Sequence, residues 1–177
     1  MPISETTHHP LVQLARAAIT AQVRERRKIG PDDAPAAITG APAGVFVTLH
    51  QASTGDLRGC IGTIGPTEPS LAQEVINNAI SAATRDWRFR PVGAAELADL
   101  AIDVSVLYPP EPIATLAELD PTHYGVIVQR GGRRGLLLPD IEGVEDAETQ
   151  VSIARQKAGI GPDETVKLYR FRVEKYT

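Results

Sequence analysis

Apolar side chains recur at two different spacings along the chain, and the spacing predicts which segments are helices and which are strands. In residues 10–28 the apolar positions lie three or four apart, as on one buried face of a helix. The same spacing in residues 70–84, opened by Ser70 as a good N-cap, predicts a second long helix. A shorter helix is expected after Asp146. Residues 1–9 lack such a pattern and read as a tail.

Alternating apolar and polar positions predict the strands. The predicted strands are residues 44–50, 57–64, 100–107, 124–129, 133–138 and 166–173. The first two flank a short turn and are expected to form a hairpin. Gly131 and Gly132 suit a two-residue turn and predict a second hairpin. We expect the last strand to return to the main sheet.

These elements predict an α+β fold with a mixed, mainly antiparallel sheet flanked by the two longer helices. The proline-rich residues 109–112 are stiff and mark a boundary. We therefore expect a larger lobe, residues 1–108 and 161–177, and a smaller α/β lobe, residues 109–160. A cleft between the two lobes is the expected place for a site.

The register of the first hairpin matters because a slip of one residue exchanges the two faces of a strand. The favoured register groups the apolar residues, which are Val45, Val47, Leu49, Leu57 and Ile61. It also brings His50 within side-chain reach of Arg58 and Cys60 on the opposite face. Asp103, which shares a face with Ser105, is expected to pair with Arg58 if their strands are neighbours.

Residues 57–62 read Leu-Arg-Gly-Cys-Ile-Gly and contain the chain's only cysteine. Alternation places Arg58 and Cys60 side by side, and a cation beside a thiol favours the reactive thiolate form. Gly59 and Gly62 leave gaps where a ligand or another backbone segment comes close. The alternative is that Cys60 fills a small buried space and is inert.

Residues 84–91 interleave arginines with two aromatic side chains. One interpretation is a stacking platform for single-stranded nucleic acid. A second is a loop that lines a pocket with anion-binding arginines. The structural alternative is a helix exit in which Trp87 and Phe89 anchor to the core while Arg85 pairs with Asp86 or another carboxylate.

Composition narrows the functional classes. The chain has 177 residues, 42% of them hydrophobic, and a net charge of −4, which disfavours duplex nucleic acid and anionic membranes as main partners. The histidines and the single cysteine lack metal-ligand spacing, so no metal or other cofactor is evident. No apolar run approaches the roughly 18 residues of a membrane span. We therefore expect a soluble, cytoplasmic protein.

Six motifs, in order along nearly the whole chain, resemble the AMMECR family and in particular the A component of AmmeMemoRadiSam systems. They are Gly44-Val45-Phe46-Val47-Thr48-Leu49, Leu57-Arg58-Gly59-Cys60-Ile61-Gly62, Arg85-Asp86-Trp87-Arg88-Phe89, Asp103-Val104-Ser105-Val106-Leu107, Gly131-Gly132-Arg133-Arg134-Gly135 and Lys157-Ala158-Gly159. Trp87 is a departure, since relatives commonly have proline there.

The resemblance implies a fold and a site, but no settled reaction. It implies that the second hairpin faces the cleft, so that arginines from separate segments surround Cys60. The candidate ligand-binding residues are Arg58, Arg85, Arg88, Arg133 and Arg134, and the supporting residues are Asp86, Phe89, Asp103, Ser105, Gly59 and Gly62. A Memo-like protein and a radical-SAM enzyme of the same gene system are the implied partners.

Three functions fit these residues. The first is a binding or accessory module whose arginine-lined cleft takes an anionic small molecule or partner. The second is a thiol-dependent enzyme or sulfur carrier, with Cys60 as candidate nucleophile and His50 as candidate base. The third, single-stranded RNA binding, is disfavoured by the net acidity and the few aromatic residues. The sequence ranks them in this order.

Overall fold

The structure, a computed structural model, describes residues 8–177, so most of the predicted tail lies outside the described residues. The α-helices of this part are α1 (Pro10–Glu25), α2 (Leu71–Thr84) and α3 (Ala147–Ala158). Short 3₁₀ helices lie at Pro31–Asp33, Ala94–Asp99 and Leu116–Glu118. The strands are β1 (Gly44–Gln51), β2 (Leu57–Gly62), β3 (Leu100–Leu107), β4 (Glu111–Ile113), β5 (Gly125–Arg130), β6 (Arg133–Leu137), β7 (Lys167–Phe171) and β8 (Val173–Tyr176).

The chain divides into two compact units. Of the described residues, 8–106 and 175–177 form the first unit and 107–174 form the second. The first sheet has the strand order β2-β1-β3-β8 and the second has the order β4-β7-β5-β6. The strand pairings β1–β2, β4–β7, β5–β6 and β5–β7 are antiparallel, so the predicted α+β class with mainly antiparallel strands is confirmed.

Helix α1 begins and ends where its local chemistry dictates. Pro10 occupies the first helical position, and the His9 side chain accepts a hydrogen bond from the backbone N–H of Leu11 at 3.2 Å. The helix stops at Glu25 because Arg26 adopts a left-handed conformation with φ of 52°. Arg26, Arg27 and Lys28, which the predicted helix over residues 10–28 places in its last turn, therefore follow the helix instead.

The core of the first unit lies between the sheet and its helices. Helix α2 packs on β1 and β2, and α1 packs on α2. The largest fully buried apolar side chains of this core are Val12, Leu14, Ile19, Val45, Val47, Leu49, Val75, Ile76 and Val104. All except Val12 are positions that the helical and alternating spacings predicted, because each element buries one face.

Gly59 is the point of closest approach between β2 and α2. A methyl group at Gly59 would overlap the carbonyl oxygen of Ala82. A methyl group at Gly62 would overlap the ring of Phe46. Of the two explanations for these glycines, close approach of the protein itself is the one that the structure supports.

The last predicted strand was placed in the wrong sheet. Its residues from Lys167 to Phe171 form β7, which pairs with β4 and β5 of the second sheet. Only the following strand, β8, joins the first sheet, so residues 161–174 belong to the second unit. Alternation predicts that a segment is a strand, but it does not specify the partner strand.

The second unit has its own core. Helix α3 packs on β5 and β6, and Val126, Val128, Val151 and Ala154 are buried between them. Arg130 pairs with Arg133 across Gly131 and Gly132, which confirms the predicted two-residue turn.

Candidate functional site

A β-bulge changes the predicted register of the first hairpin at the candidate site. Thr48 lies opposite Cys60 and Val47 lies opposite Ile61, so these residues share the faces that the predicted register gave them. The register then shifts, so that His50 lies opposite Leu57 rather than Arg58. The extra residue on β2 breaks the alternation on which the expected grouping of His50 with Arg58 and Cys60 depended. That part of the register prediction was wrong.

Cys60 is partly buried on β2, and its sulfur is in contact with a hydroxyl group. Its Sγ lies 3.3 Å from Oγ1 of Thr48 on the neighbouring strand. A hydroxyl that donates to sulfur stabilises negative charge there, and a thiol that donates to the hydroxyl stays neutral. The contact therefore suits either state of the sulfur.

The carboxylate of Asp86 fixes the backbone beside this cysteine. Asp86 is only 4% exposed, and its Oδ2 accepts a hydrogen bond from the Cys60 backbone N–H at 2.9 Å. Its two oxygens also accept bonds from Arg88, from the backbone N–H at 3.1 Å, from Nε at 3.0 Å and from Nη2 at 2.8 Å. The hydrogen bonds from the Arg88 side chain outweigh the cost of burial and lower the pKa of Asp86 far below its usual value.

Arg88 is held at the surface by this buried carboxylate. Its side chain is 41% exposed, and its Nη2 also reaches the carbonyl oxygen of Cys60 at 3.5 Å. The hydrogen bond to Asp86 raises the pKa of Arg88 above its ordinary value. Its Nη1 donates no hydrogen bond to any residue in the described range 8–177. Part of the guanidinium therefore has free hydrogen-bonding capacity beside Cys60.

Arg58 is occupied by a carboxylate that the sequence interpretation missed. Its side chain is 8% exposed and donates from Nε and Nη2 to Glu96 at 2.9 and 3.2 Å. The bond from Arg58 lowers the pKa of Glu96. Its guanidinium lies 5.9 Å from the centre of the Phe89 ring. Glu96 also accepts a hydrogen bond from the Gly93 backbone N–H at 2.8 Å. The Gly-x-x-Glu spacing is the sequence signal that could have identified this carboxylate.

Asp103 does not pair with Arg58, contrary to the expectation. Strand β3 lies beside β1, on the side away from β2. The Oδ2 atom of Asp103 is 3.3 Å from Nζ of Lys175 and 3.8 Å from Nδ1 of His50. Ser105, two positions along the same strand, is buried.

Trp87 is not anchored in the core. The side chain is 91% exposed, whereas the neighbouring Phe89 is partly buried with the guanidiniums of Arg58 and Arg88 5.9 and 5.4 Å from its ring centre. The structural alternative for this segment was therefore wrong for Trp87. It was also wrong in pairing Arg85 with Asp86, since Arg88 takes that carboxylate.

Arg85 lies in a different environment from Arg88. It is exposed and lines a pocket of about 530 Å³ with Lys28, between α1 and α2. Its guanidinium makes no hydrogen bond to a described residue. The structure thus brings Cys60 and Arg88 together, and it places Arg85 in a separate pocket.

The two hairpin arginines of the second unit differ from each other. Arg133 donates from Nη1 to the carbonyl of Gly159 at 2.7 Å and from Nη2 to Glu164 at 2.8 Å. The bond from Arg133 lowers the pKa of Glu164 to about 2. Arg134 is exposed, and its guanidinium makes no hydrogen bond within residues 8–177. Arg133 therefore holds the hairpin, while Arg134 is available to a ligand.

A second buried carboxylate shapes the connection from β2 to α2. Glu74 is 1% exposed and accepts hydrogen bonds from Thr63, Thr67 and Glu68 at 2.6–2.8 Å. Burial raises the pKa of Glu74, but these bonds outweigh burial and leave the pKa below its usual value. Glu74 follows Leu71 by three positions, on the apolar face of α2, and that spacing could have identified it.

Residues 8–177 hold no group of three or more histidine, cysteine or acidic side chains placed to bind a metal ion. Across the same described part of the chain, none of the helices combines the length and the apolar character that a membrane crossing requires.

Comparison with known proteins gives the family. The AMMECR1 family model matches residues 12–176, and the chain belongs to this family. A Thermotoga maritima protein is 53% identical over 170 residues, which are 95% of this chain and 97% of that protein. A Clostridium acetobutylicum protein is 44% identical over 94% of this chain, but the match covers only 36% of that protein.

A solved structure agrees with the fold. The crystal structure of an uncharacterized protein from Pyrococcus horikoshii matches with a TM-score of 0.82 and 37% sequence identity. The match covers 93% of this chain and 88% of that one. The resemblance drawn from the six motifs is therefore confirmed at the level of family and fold.

Proposed function

We propose that the chain is a binding or accessory module in which Arg88, beside Cys60, holds a carboxylate or phosphate of a small molecule or partner. The observation that carries the proposal is the buried Asp86 carboxylate, which fixes both the Arg88 side chain and the Cys60 backbone. Burying the Asp86 carboxylate costs free energy that its pairing with the partly exposed Arg88 must offset, so the pair is an inefficient way to stabilise a fold. It does fix a guanidinium before a ligand arrives, and such preorganisation favours binding.

The chemistry of the exposed part of Arg88 fits an oxyanion. A guanidinium is planar and donates parallel hydrogen bonds that match carboxylate and phosphate groups. Asp86 takes Nε and Nη2, Nη2 also lies 3.5 Å from the Cys60 carbonyl oxygen, and Nη1 makes no hydrogen bond to a residue of the described range.

The proposed ligand contacts exclude two of the predicted arginines. Arg58 is buried against Glu96, and Arg133 is paired with Glu164. Arg85 and Arg134 are exposed and make no such pair in the described chain, so each is available to an anion in its own place, Arg85 in its separate pocket and Arg134 on the second unit.

The relatives support an accessory role. The Clostridium acetobutylicum protein contains a segment like this chain within a much longer polypeptide, of which the match covers 36%. A module that acts beside another domain or protein would occur in that form. Under this proposal a Memo-like protein and a radical-SAM enzyme are the companions, as the family resemblance implies.

Titration with inorganic phosphate and with malonate tests the anion site. We expect a saturable shift of the Arg88 side-chain N–H signal in nuclear magnetic resonance spectra, which sodium chloride of equal ionic strength does not produce. Arg88→Lys should weaken binding about tenfold or more, because lysine cannot satisfy both oxygens of Asp86 and a ligand. Arg24→Ala is the matched surface control. Equal binding by Arg88→Lys would contradict the proposal.

Thiol chemistry at Cys60 is the second candidate, favoured by the contact between its sulfur and the Thr48 hydroxyl. If that hydroxyl stabilises the thiolate, folded protein should react with iodoacetamide at least as fast as a free thiol, and Thr48→Val should slow the reaction. Alkylation that occurs only after unfolding in urea would exclude this candidate.

A further inference from the structure

Trp87 stands out among the apolar side chains that the first unit exposes. It is 91% exposed, whereas the other exposed large apolar residue of that unit, Leu57, is 39% exposed. The exposure is not a result of loose structure, because Asp86 beside it is hydrogen-bonded to Cys60 and Arg88, and the Phe89 backbone N–H donates to the Asp86 carbonyl at 3.0 Å. A rigid turn therefore holds the indole ring in water.

Positive charge surrounds this indole. We call residues 85–90 the Trp87 loop. Its Arg85 and Arg90 are exposed and donate no side-chain hydrogen bond to a described residue, and its single acidic residue, Asp86, is buried and paired with Arg88. Tryptophan and arginine are the residue types most enriched at the centres of protein interfaces.

The second unit exposes a loop with the opposite charge. We call residues 140–145 the acidic loop. Its central Ile141 is 40% exposed, and Asp140, Glu142 and Glu145 are exposed and form no ion pair within residues 8–177. Each loop thus carries an exposed apolar side chain, and its exposed charges have one sign, positive in the Trp87 loop and negative in the acidic loop.

We propose that the Trp87 loop of one copy of this chain docks on the acidic loop of a second copy, with Trp87 against Ile141. Charge complementarity selects this occupant, because every copy carries both halves of the contact. Single-stranded nucleic acid fits less well, since it needs successive stacking surfaces and a basic surface, and the chain carries a net charge of −4. The two loops differ, so the contact either occurs twice in an isologous two-fold dimer or is heterologous and continues as a ring or a chain. The Trp87 loop includes Arg88 of the proposed anion site, but the contact is argued from Trp87, Arg85 and Arg90 and does not require that site to bind an anion.

The chain reports on the contact directly, because Trp87 is its only tryptophan. We expect the mass from sedimentation velocity to rise with protein concentration in the micromolar range. The emission maximum of Trp87 should move to shorter wavelength over the same range. Raising the salt from about 50 mM to about 500 mM should reverse both changes, because screening weakens contacts between exposed charges.

Single substitutions distinguish the proposed contact between Trp87 and Ile141 from other kinds of self-association. Trp87→Ala and Ile141→Ser should each weaken association about tenfold or more, as truncation of a central apolar residue does in other interfaces. Leu57→Ser is the matched control and should leave association unchanged. Circular dichroism of each variant checks that the fold is retained.

Charge exchange gives the decisive measurement. The variant with Arg85→Glu and Arg90→Glu and the variant with Glu142→Lys and Glu145→Lys should each associate weakly. A mixture of the two should recover association, because the exchanged loops are complementary again. The proposal is overturned if the wild-type chain stays monomeric at every concentration, if Trp87→Ala associates normally, or if the mixture fails to associate. Quenching of Trp87 by oligouridylate without self-association would also overturn it and would favour the nucleic-acid alternative.

Discussion

The two units contain the same dipeptide in similar settings, Arg58-Gly59 on β2 and Arg134-Gly135 on β6. A methyl group at Gly59 would overlap the carbonyl oxygen of Ala82 on α2, and one at Gly135 would overlap the carbonyl oxygen of Ala154 on α3. In each unit a strand without a side chain at one position lies directly on a helix. The local reason for the glycine is therefore the same.

The arginines that precede these glycines lie in different environments. Arg58 is 7% exposed and paired with Glu96, while Arg134 is exposed. The difference arises from Glu96, which lies 38 positions along the chain from Arg58. The comparison teaches that a short motif predicts the close backbone contact, and that a distant carboxylate decides whether its arginine is structural or available.

The largest expected effect tests the shared feature. Gly59→Ala and Gly135→Ala should each lower the free energy of unfolding by about 3 kcal/mol, because a backbone carbonyl cannot rotate away from the added methyl group. Urea unfolding followed by circular dichroism measures the loss. Gly132→Ala is the control, since nothing lies within 4 Å of a methyl group there. A loss from Gly132→Ala as large as those from the other two would contradict the explanation.

The second prediction concerns the carboxylate that distinguishes the first unit. Asp86→Asn should lower the free energy of unfolding by about 2 kcal/mol, because it weakens the buried bonds to Arg88 and Cys60. The folded-state pKa of Asp86 is depressed, so its contribution is present at neutral pH and is lost as pH falls below the ordinary value of about 4. The difference between wild type and variant should therefore shrink in acid. A difference that stays constant down to pH 2 would argue against an ionised Asp86 as its source.

Replacing Arg58 and Arg134 tests whether the first is structural and the second is not. Arg58→Met should cost about 1–2 kcal/mol, since it leaves Glu96, 24% exposed, without its charged partner. Arg134→Ala should change stability by less than about 0.5 kcal/mol. Thermal and urea unfolding of both variants measure the effects, and equal losses would remove the contrast.

The smallest effect is expected at Glu164. Arg133 holds its folded-state pKa near 2, below the ordinary 4.5, so its stabilisation is present above about pH 4.5 and is lost as pH falls towards 2. Glu164→Gln should therefore be slightly less stable than wild type at pH 7 and equally stable near pH 2. The effect is small because the Glu164 side chain is 35% exposed and its ion pairs are screened by water. The urea concentration at the midpoint of unfolding, measured for wild type and Glu164→Gln between pH 2 and pH 7, tests this prediction.

Local pattern accounts for most of the secondary structure. The helices that begin at Pro10 and Leu71 and the strand pair around Gly131 and Gly132 follow from spacing, caps and turn residues. The family followed from the motif at residues 57–62 and its companions, and the family match confirms it. The geometry of the candidate site was harder to predict from the sequence. A single β-bulge at Arg58 places His50 opposite Leu57 rather than opposite Arg58.

The sequence by itself determined the α+β class, the helix and hairpin positions and the family, and it predicted a site at residues 57–62 and 85–89. These depend on interactions between residues near each other in the chain, or on motifs written directly in it. Only the tertiary structure decided that β7 joins the second sheet, that Glu96 buries Arg58, and that Asp86 binds Arg88 beside Cys60 while Trp87 stays in water. Each of these depends on which distant groups meet, and the free energy of a buried charge or a strand pairing is set by that partner rather than by local spacing.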